Sequence, residues 1–80
     1  MMFYVYAILS LKRSYIYVGL TSDIERRIRQ HNKGYEKTTK PYAPFQLIYS
    51  EQFDTRAEAR KREKYLKSGA GKEFLRSRLI

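Results

Sequence analysis

An α+β fold is what the sequence predicts: a small three-stranded sheet with an antiparallel N-terminal hairpin, flanked by three helices in the order β-β-α-β-α-α. Three observations carry the expectation. Apolar and aromatic residues alternate twice in quick succession near the start, Ser/Thr-x-x-Glu capping boxes open two later segments, and 80 residues leave room for one domain, taken as 1–80. A chain this short buries roughly 60–65% of its unfolded surface, so the core is small. With eight Tyr, four Phe and no Trp, much of that core must be built from rings.

The elements follow in order. Residues 2–10 read as a strand, with Phe3, Val5, Ala7 and Leu9 alternating with Tyr4, Tyr6 and Ile8. Both of its faces are apolar, which predicts a central strand covered on both sides. Leu11-Lys12-Arg13 breaks the pattern, and Ser14–Leu20 resumes it through Tyr15-Ile16-Tyr17-Val18. Gly19 marks a place where the backbone bends or something approaches closely. So short a connection demands an antiparallel hairpin. A turn at 10–13 would pair Leu9 with Ser14 and Tyr6 with Tyr17, placing both rings on one face; a turn one residue shorter would set Tyr6 opposite Val18 and separate them.

Ser22 with Glu25 forms the first capping box, Asp23 adds negative charge to the first turn, and Gly34 follows as a stop. Ile24 and Ile28 supply the apolar stripe. Residues 35–44, with Pro41 and Pro44, read as a loop. Phe45–Phe53 is a third strand, with Phe45, Leu47, Tyr49 and Glu51 on one face. Thr55 and Glu58 cap a helix running to Lys67, Ser68-Gly69-Ala70-Gly71 ends it, and residues 72–79 form a short last helix.

Seventeen Lys+Arg against eight Asp+Glu give a formal net charge of +9. That balance points to a polyanionic partner, nucleic acid, rather than to a basic surface kept for solubility. Arg26, Lys33, Lys37 and Lys40, with Lys67 from a second basic segment, are the candidate phosphate contacts. The absence of Cys excludes a disulfide scaffold, a thiolate zinc site, an iron–sulfur cluster and a thiol nucleophile. His31 is the sole histidine, so one chain holds no His-rich metal centre. Gly69-Ala70-Gly71-Lys72 is not a phosphate loop, because a helix rather than a strand precedes it. The apolar start has neither a basic region before it nor a cleavage site after it, and it is too short to span a bilayer. The expectation is a cytoplasmic protein with no membrane role.

Two helical positions stand out. Arg27 and His31, four residues apart, share a helix face bordering the Ile24/Ile28 stripe. An arginine beside the only histidine suits a phosphate clamp with a proton carrier nearby, although Asp23 is also spaced to pair with Arg27. Glu63 lies between Ala59 and Leu66 on the inward stripe of a helix that is otherwise mostly basic. A buried acid needs a cation. Arg60 or Lys67 would serve, as would a bound Mg²⁺ completed by water and substrate phosphate.

Tyr4-Val5-Tyr6, then Tyr17-Val18-Gly19, then Arg27 and His31 on a helix and Glu63 on a later one, resemble the GIY-YIG nuclease superfamily. The resemblance is to its small stand-alone members, similar to the nuclease module that opens an excision-repair endonuclease, and covers nearly the whole chain. It implies a divalent-metal-dependent endonuclease acting on DNA, in repair or processing, with one Mg²⁺ or Mn²⁺. By resemblance, Tyr6 and Tyr17 position and deprotonate the attacking water, and Arg27 holds the scissile phosphate. His31 supports a tyrosine or the water, and Glu63 ligates the metal. The alternative is a catalytically weak or inactive nucleic-acid-binding module on the same fold. A protein partner or an oligomer would then supply specificity, since no separate DNA-binding region or large insertion is evident.

Overall fold

The computed structural model describes residues 1–79. Strands β1 (Phe3–Ser10), β2 (Ile16–Thr21) and β3 (Phe45–Phe53) form one antiparallel sheet in the order β2-β1-β3. Helices α1 (Ile24–Asn32), α2 (Arg56–Lys67) and α3 (Gly69–Ser77) complete the expected α+β order. The doubly apolar first strand is central, as its pattern predicted.

The hairpin register differs from the expectation by two residues. Tyr6 lies opposite Gly19, and Ile8 lies opposite Tyr17. The connection Leu11–Tyr15 is longer than expected because the Ser10 side chain organises it. Ser10 Oγ accepts the backbone N–H groups of Lys12 and Arg13, both at 3.1 Å, while the Ser10 N–H donates to the Tyr15 carbonyl at 2.9 Å. A shift of two preserves the alternation of faces. Tyr6 and Tyr17 therefore share a face even though they are not directly paired.

In β3 the expected face of Phe45, Leu47, Tyr49 and Glu51 is split. Ala7 pairs with Tyr49 but Ile8 pairs with Leu47, so Ile48 is an extra residue at a bulge. One inserted residue flips the alternation. Phe45 consequently packs with Tyr6 and Ile8, whereas Tyr49 and Phe53 turn to the opposite face.

Each sheet face thus has its own core. Val5, Ala7, Ile16 and Val18 pack with Ala59 and Leu66 of α2 and Leu75 of α3. On the other face Tyr6, Ile8 and Phe45 pack with Tyr15, Tyr17 and Ile28 of α1. The second face is the more polar one, because its aromatic rings carry hydroxyls.

The helix ends correct two further expectations. Asp23, not Ser22, caps α1: its Oδ1 accepts the Arg26 N–H at 3.1 Å, while Thr21 Oγ1 accepts the Asp23 N–H at 3.1 Å. Thr55 caps α2 as expected, accepting the Glu58 N–H at 3.2 Å. Gly69–Gly71 do not merely end α2; they form the first turn of α3. Ser68 both closes α2 and caps α3, with its Oγ accepting the Gly71 N–H at 3.2 Å. The expected loop over 35–44 contains a short 3-10 turn, Lys40–Tyr42. Among the described residues, no helix is long and apolar enough to cross a membrane.

Gly71 lets α3 abut the end of α2. A Cβ there would sit 2.8 Å from the Leu66 carbonyl carbon and closer still to Leu66 Cα and the Tyr65 carbonyl oxygen, whereas a Cβ at Gly69 would meet nothing within 4 Å. Gly71→Ala should therefore destabilise the fold by roughly 1–3 kcal/mol through overpacking against backbone. Gly69→Ala should be neutral or stabilising by about 0.5–1 kcal/mol through lost chain entropy. Urea unfolding of both variants checks this, and equal effects would contradict the packing assigned to Gly71.

Candidate active site

The α1-side core contains the only histidine, fully buried. His31 is 0% exposed and Tyr6 1% exposed, and the Tyr6 hydroxyl lies 2.8 Å from His31 Nε2 across 25 residues of chain. On the other side of the imidazole, Nδ1 lies 2.8 Å from Thr39 Oγ1. Rings enclose it: the His31 centroid is 5.0 Å from that of Tyr17, 5.9 Å from Tyr6 and 6.0 Å from Phe45.

Gly19 makes room for this arrangement. A Cβ there would lie 2.6 Å from the Tyr6 ring carbon that bears the hydroxyl, and closer still to the oxygen. The close approach expected at Gly19 is made by Tyr6. Its backbone φ is not positive, so the requirement is for space rather than for an unusual conformation.

Arg27, one turn before His31, lies part-buried in a cleft lined by Thr21, Ser22, Asp23, Arg26 and Gln30. It does not pair with Asp23, which is occupied as the helix cap. Its guanidinium donates to Gln30 Oε1 at 3.0 Å and forms an ion pair with Glu36 Oε2 at 3.2 Å. Arg27 also sits close enough to Tyr6 to favour the ionised phenol.

Burial outweighs that influence. Desolvation pushes the Tyr6 hydroxyl up to about 12, reinforced by the charges of Tyr17 and Glu63 and opposed by Arg27. The resting Tyr6 is a neutral phenol, more firmly protonated than free tyrosine, contrary to the expectation that positive charge would dominate. His31 is held below its ordinary value, first by burial and then by the Arg27 charge, with Glu36 opposing. It is a neutral imidazole near neutral pH.

Glu63 projects from α2, which packs on the opposite sheet face, yet its charge is felt at Tyr6. It is 6% exposed, and both expected partners hold it: Arg60 at 3.0 Å and Lys67 at 3.1 Å, one on each oxygen. Among the described residues no three His, Cys, Asp or Glu side chains cluster to hold an ion. A single carboxylate nonetheless fits an Mg²⁺-type ion, which takes one or two protein carboxylates and completes its octahedron with water and phosphate. Arg60 and Lys67 are about half exposed on flexible stems, so neither is fixed over the carboxylate.

The structure thus gathers Tyr6, Tyr17, Arg27 and His31 on one face and brings Glu63 within electrostatic reach. Arg26, Lys33, Lys37 and Lys40 are exposed on α1 and the following loop. Lys67 is exposed too, but paired with Glu63. Sequence reasoning missed Glu36 and Thr39, the supports of Arg27 and His31. Glu36 carried a signal as the single acid among residues 33–44. Thr39 carried none, because no periodicity runs through that loop.

The buried imidazole makes stability depend on pH. Below about 6.5 the unfolded chain binds a proton that the native His31 resists, so stability should fall as pH drops from 7.5 to 5. Thermal unfolding across that window should show the fall, and His31→Gln should flatten it. An NMR titration placing the His31 pKa at or above 6.5 would contradict the burial assigned here.

Comparison with known proteins places this constellation. Residues 2–74 match the family described as the GIY-YIG catalytic domain. A UPF0213 protein of Staphylococcus saprophyticus is 47% identical over 66 residues, covering 81% of this chain and 79% of the relative. Another, from Clostridium perfringens, is 43% identical over 65 residues, covering 80% of this chain and 69% of the relative. The solution NMR structure of a UPF0213 protein from Bacillus halodurans aligns with a TM-score of 0.58 at 35% identity, over 96% of this chain and 84% of that one. The matched span contains both tyrosines, Arg27, His31 and Glu63, and the chain belongs to the GIY-YIG catalytic domain family, a nuclease fold.

Proposed function

We propose that the protein is a divalent-metal-dependent endonuclease that hydrolyses phosphodiester bonds in DNA, in DNA repair or processing. The buried Tyr6–His31 hydrogen bond beside Arg27 carries this reading. A phenol and an imidazole at 2.8 Å, both excluded from water, form a path for a proton. A guanidinium at the edge of a cleft adjoins that path and can grip a phosphate on two oxygens.

In this reading Arg27 binds the scissile phosphate and the charge that develops on it. Tyr17, half-buried at the outer edge of the cluster, orients the attacking water. As the water oxygen bonds to phosphorus and the bond to the leaving oxygen breaks, the water proton passes to Tyr6 while the Tyr6 proton passes to His31 Nε2. His31 ends as an imidazolium and Tyr6 as a neutral phenol. With a neutral imidazole waiting as acceptor, the high proton affinity of Tyr6 does not require a free phenolate in the resting protein. Mg²⁺ or Mn²⁺ bound at Glu63 would supply charge neutralisation at the leaving oxygen. The net charge of +9 draws DNA towards the site through counterion release.

One observation favours the second reading, a nucleic-acid-binding module without turnover. Both Glu63 oxygens are already satisfied by cations of their own helix. The two readings part at Glu63. Glu63→Gln should abolish metal-dependent cleavage while DNA binding stays equal or tightens, because a negative charge has left a basic surface. Arg27→Ala should slow cleavage by about 100-fold or more, with Arg27→Lys recovering little of it. Nicking assays in Mg²⁺ and Mn²⁺ on variants shown to be folded by circular dichroism check both. Undiminished cleavage by folded Glu63→Gln would contradict the assignment of Glu63.

A further inference from the structure

The segment between α1 and β3 contains a buried hydroxyl that no capping or folding role uses. Thr39 is 0% exposed and stands at the N-cap position of the 3-10 turn Lys40–Tyr42, yet its side chain makes no cap hydrogen bond. Its Oγ1 points instead at His31 Nδ1, at 2.8 Å. Three residues earlier, Glu36 holds Arg27. One short stretch of chain therefore braces both polar residues that α1 presents to the site.

The hydrogens can be placed by elimination. The neutral Tyr6 phenol must donate its proton, and in this buried position His31 Nε2 is its hydrogen-bond partner. With Nε2 accepting, the neutral imidazole carries its proton on Nδ1 and donates to Thr39 Oγ1. The Thr39 hydroxyl proton then goes to the Glu36 carbonyl, at 3.4 Å. The chain Tyr6 to His31 to Thr39 to the Glu36 carbonyl satisfies each donor once. Among the described residues, no buried side-chain N or O is without a partner. The reverse chain, with Thr39 donating to Nδ1 and Nε2–H donating to Tyr6, gives Tyr6 an extra donor and leaves its own proton without an acceptor.

We propose that Thr39 is a positioning residue that fixes His31 as its Nδ1–H tautomer, so that Nε2 presents a lone pair to the Tyr6 hydroxyl. The consequence for rate rests on the hydrolytic reading above, but the tautomer itself does not. The other tautomer would point a proton at Tyr6 and close the path along which the phenol releases its own. A hydroxyl suits the task because it accepts from Nδ1 and donates onward at once, which neither a methyl group nor a charged side chain does there.

Nitrogen-15 NMR of the free protein tests this directly, since a single histidine gives one imidazole pattern. The wild type should show protonated Nδ1 and unprotonated Nε2 at pH 7.5. Thr39→Val keeps the shape and removes the hydroxyl, and should convert the signal to Nε2–H or to a mixture; Thr39→Ser should restore Nδ1–H. A wild-type spectrum with protonated Nε2, or an unchanged Nδ1–H pattern in folded Thr39→Val, would overturn the proposal. In the nicking assay Thr39→Val should lower kcat by roughly 10- to 100-fold with KM little changed, the equivalent of one lost buried hydrogen bond, and Thr39→Ser should recover most of it. If the tautomer shifts as stated but the wild type cleaves no DNA, the Thr39 assignment stands and the hydrolytic reading fails.

Discussion

The hydrogen bond between Tyr6 and His31 is the constraint around which this small fold is arranged. It joins the central strand to α1 at a depth where neither partner meets water, so both must find every hydrogen-bond partner within the protein. Gly19 is bare so that the Tyr6 hydroxyl can lie across β2, and Thr39 is drawn inward to satisfy the far nitrogen of the imidazole. Removing one partner would leave the other as an orphaned polar group, which costs about 1–3 kcal/mol in a domain with a modest total stability. An apolar pair would fill the same space without that penalty. That a polar pair occupies the core of so small a protein is itself a reason to look for chemistry there.

The division of the sheet into two faces separates stability from reactivity. The face under α2 and α3 is aliphatic, with Ala59, Leu66 and Leu75 closing over Val5, Ala7 and Val18, and it supplies conventional apolar burial. The face under α1 is aromatic and hydroxylated, and it carries the titratable groups. Electrostatics couples the two. Glu63 belongs to the aliphatic side by its helix, yet it raises the proton affinity of Tyr6, while Arg27 lowers it. A change of charge at Glu63, whether by a bound cation or by movement of Arg60 and Lys67, therefore alters how readily Tyr6 ionises. Neutralising Glu63 removes an influence that disfavours phenolate, so occupancy of that site and proton transfer at Tyr6 act in the same direction.

Much of this was legible in the chain, for definite physical reasons. Alternation at period two identifies strands whatever their partners are, and a strand apolar on both faces had to be central. The shared face of Tyr6 and Tyr17 survived a wrong register because an error of two leaves parity intact. What failed depended on single side chains acting on the backbone. Ser10 lengthened the hairpin connection, Asp23 displaced Ser22 as the cap, Ser68 with Gly71 started α3 earlier, and the bulge at Ile48 turned Phe45 away from Tyr49. Hydrophobic pattern does not encode such local competitions. Arg27, His31 and Glu63 stood out because each breaks its own helix pattern. Thr39 breaks no pattern, and only the folded chain shows that its hydroxyl faces an imidazole.

The central claim is that a buried phenol–imidazole pair serves phosphodiester hydrolysis rather than packing alone. Nicking of supercoiled plasmid DNA in Mn²⁺ by wild type and by Tyr6→Phe, both confirmed folded by circular dichroism, tests it most directly. Phenylalanine preserves the ring that fills the core and removes only the hydroxyl. The wild type should give open-circular product, and Tyr6→Phe should lose roughly 100-fold or more of that activity, the scale of a positioned proton-transfer group. A folded Tyr6→Phe protein that nicks plasmid at the wild-type rate would contradict the claim.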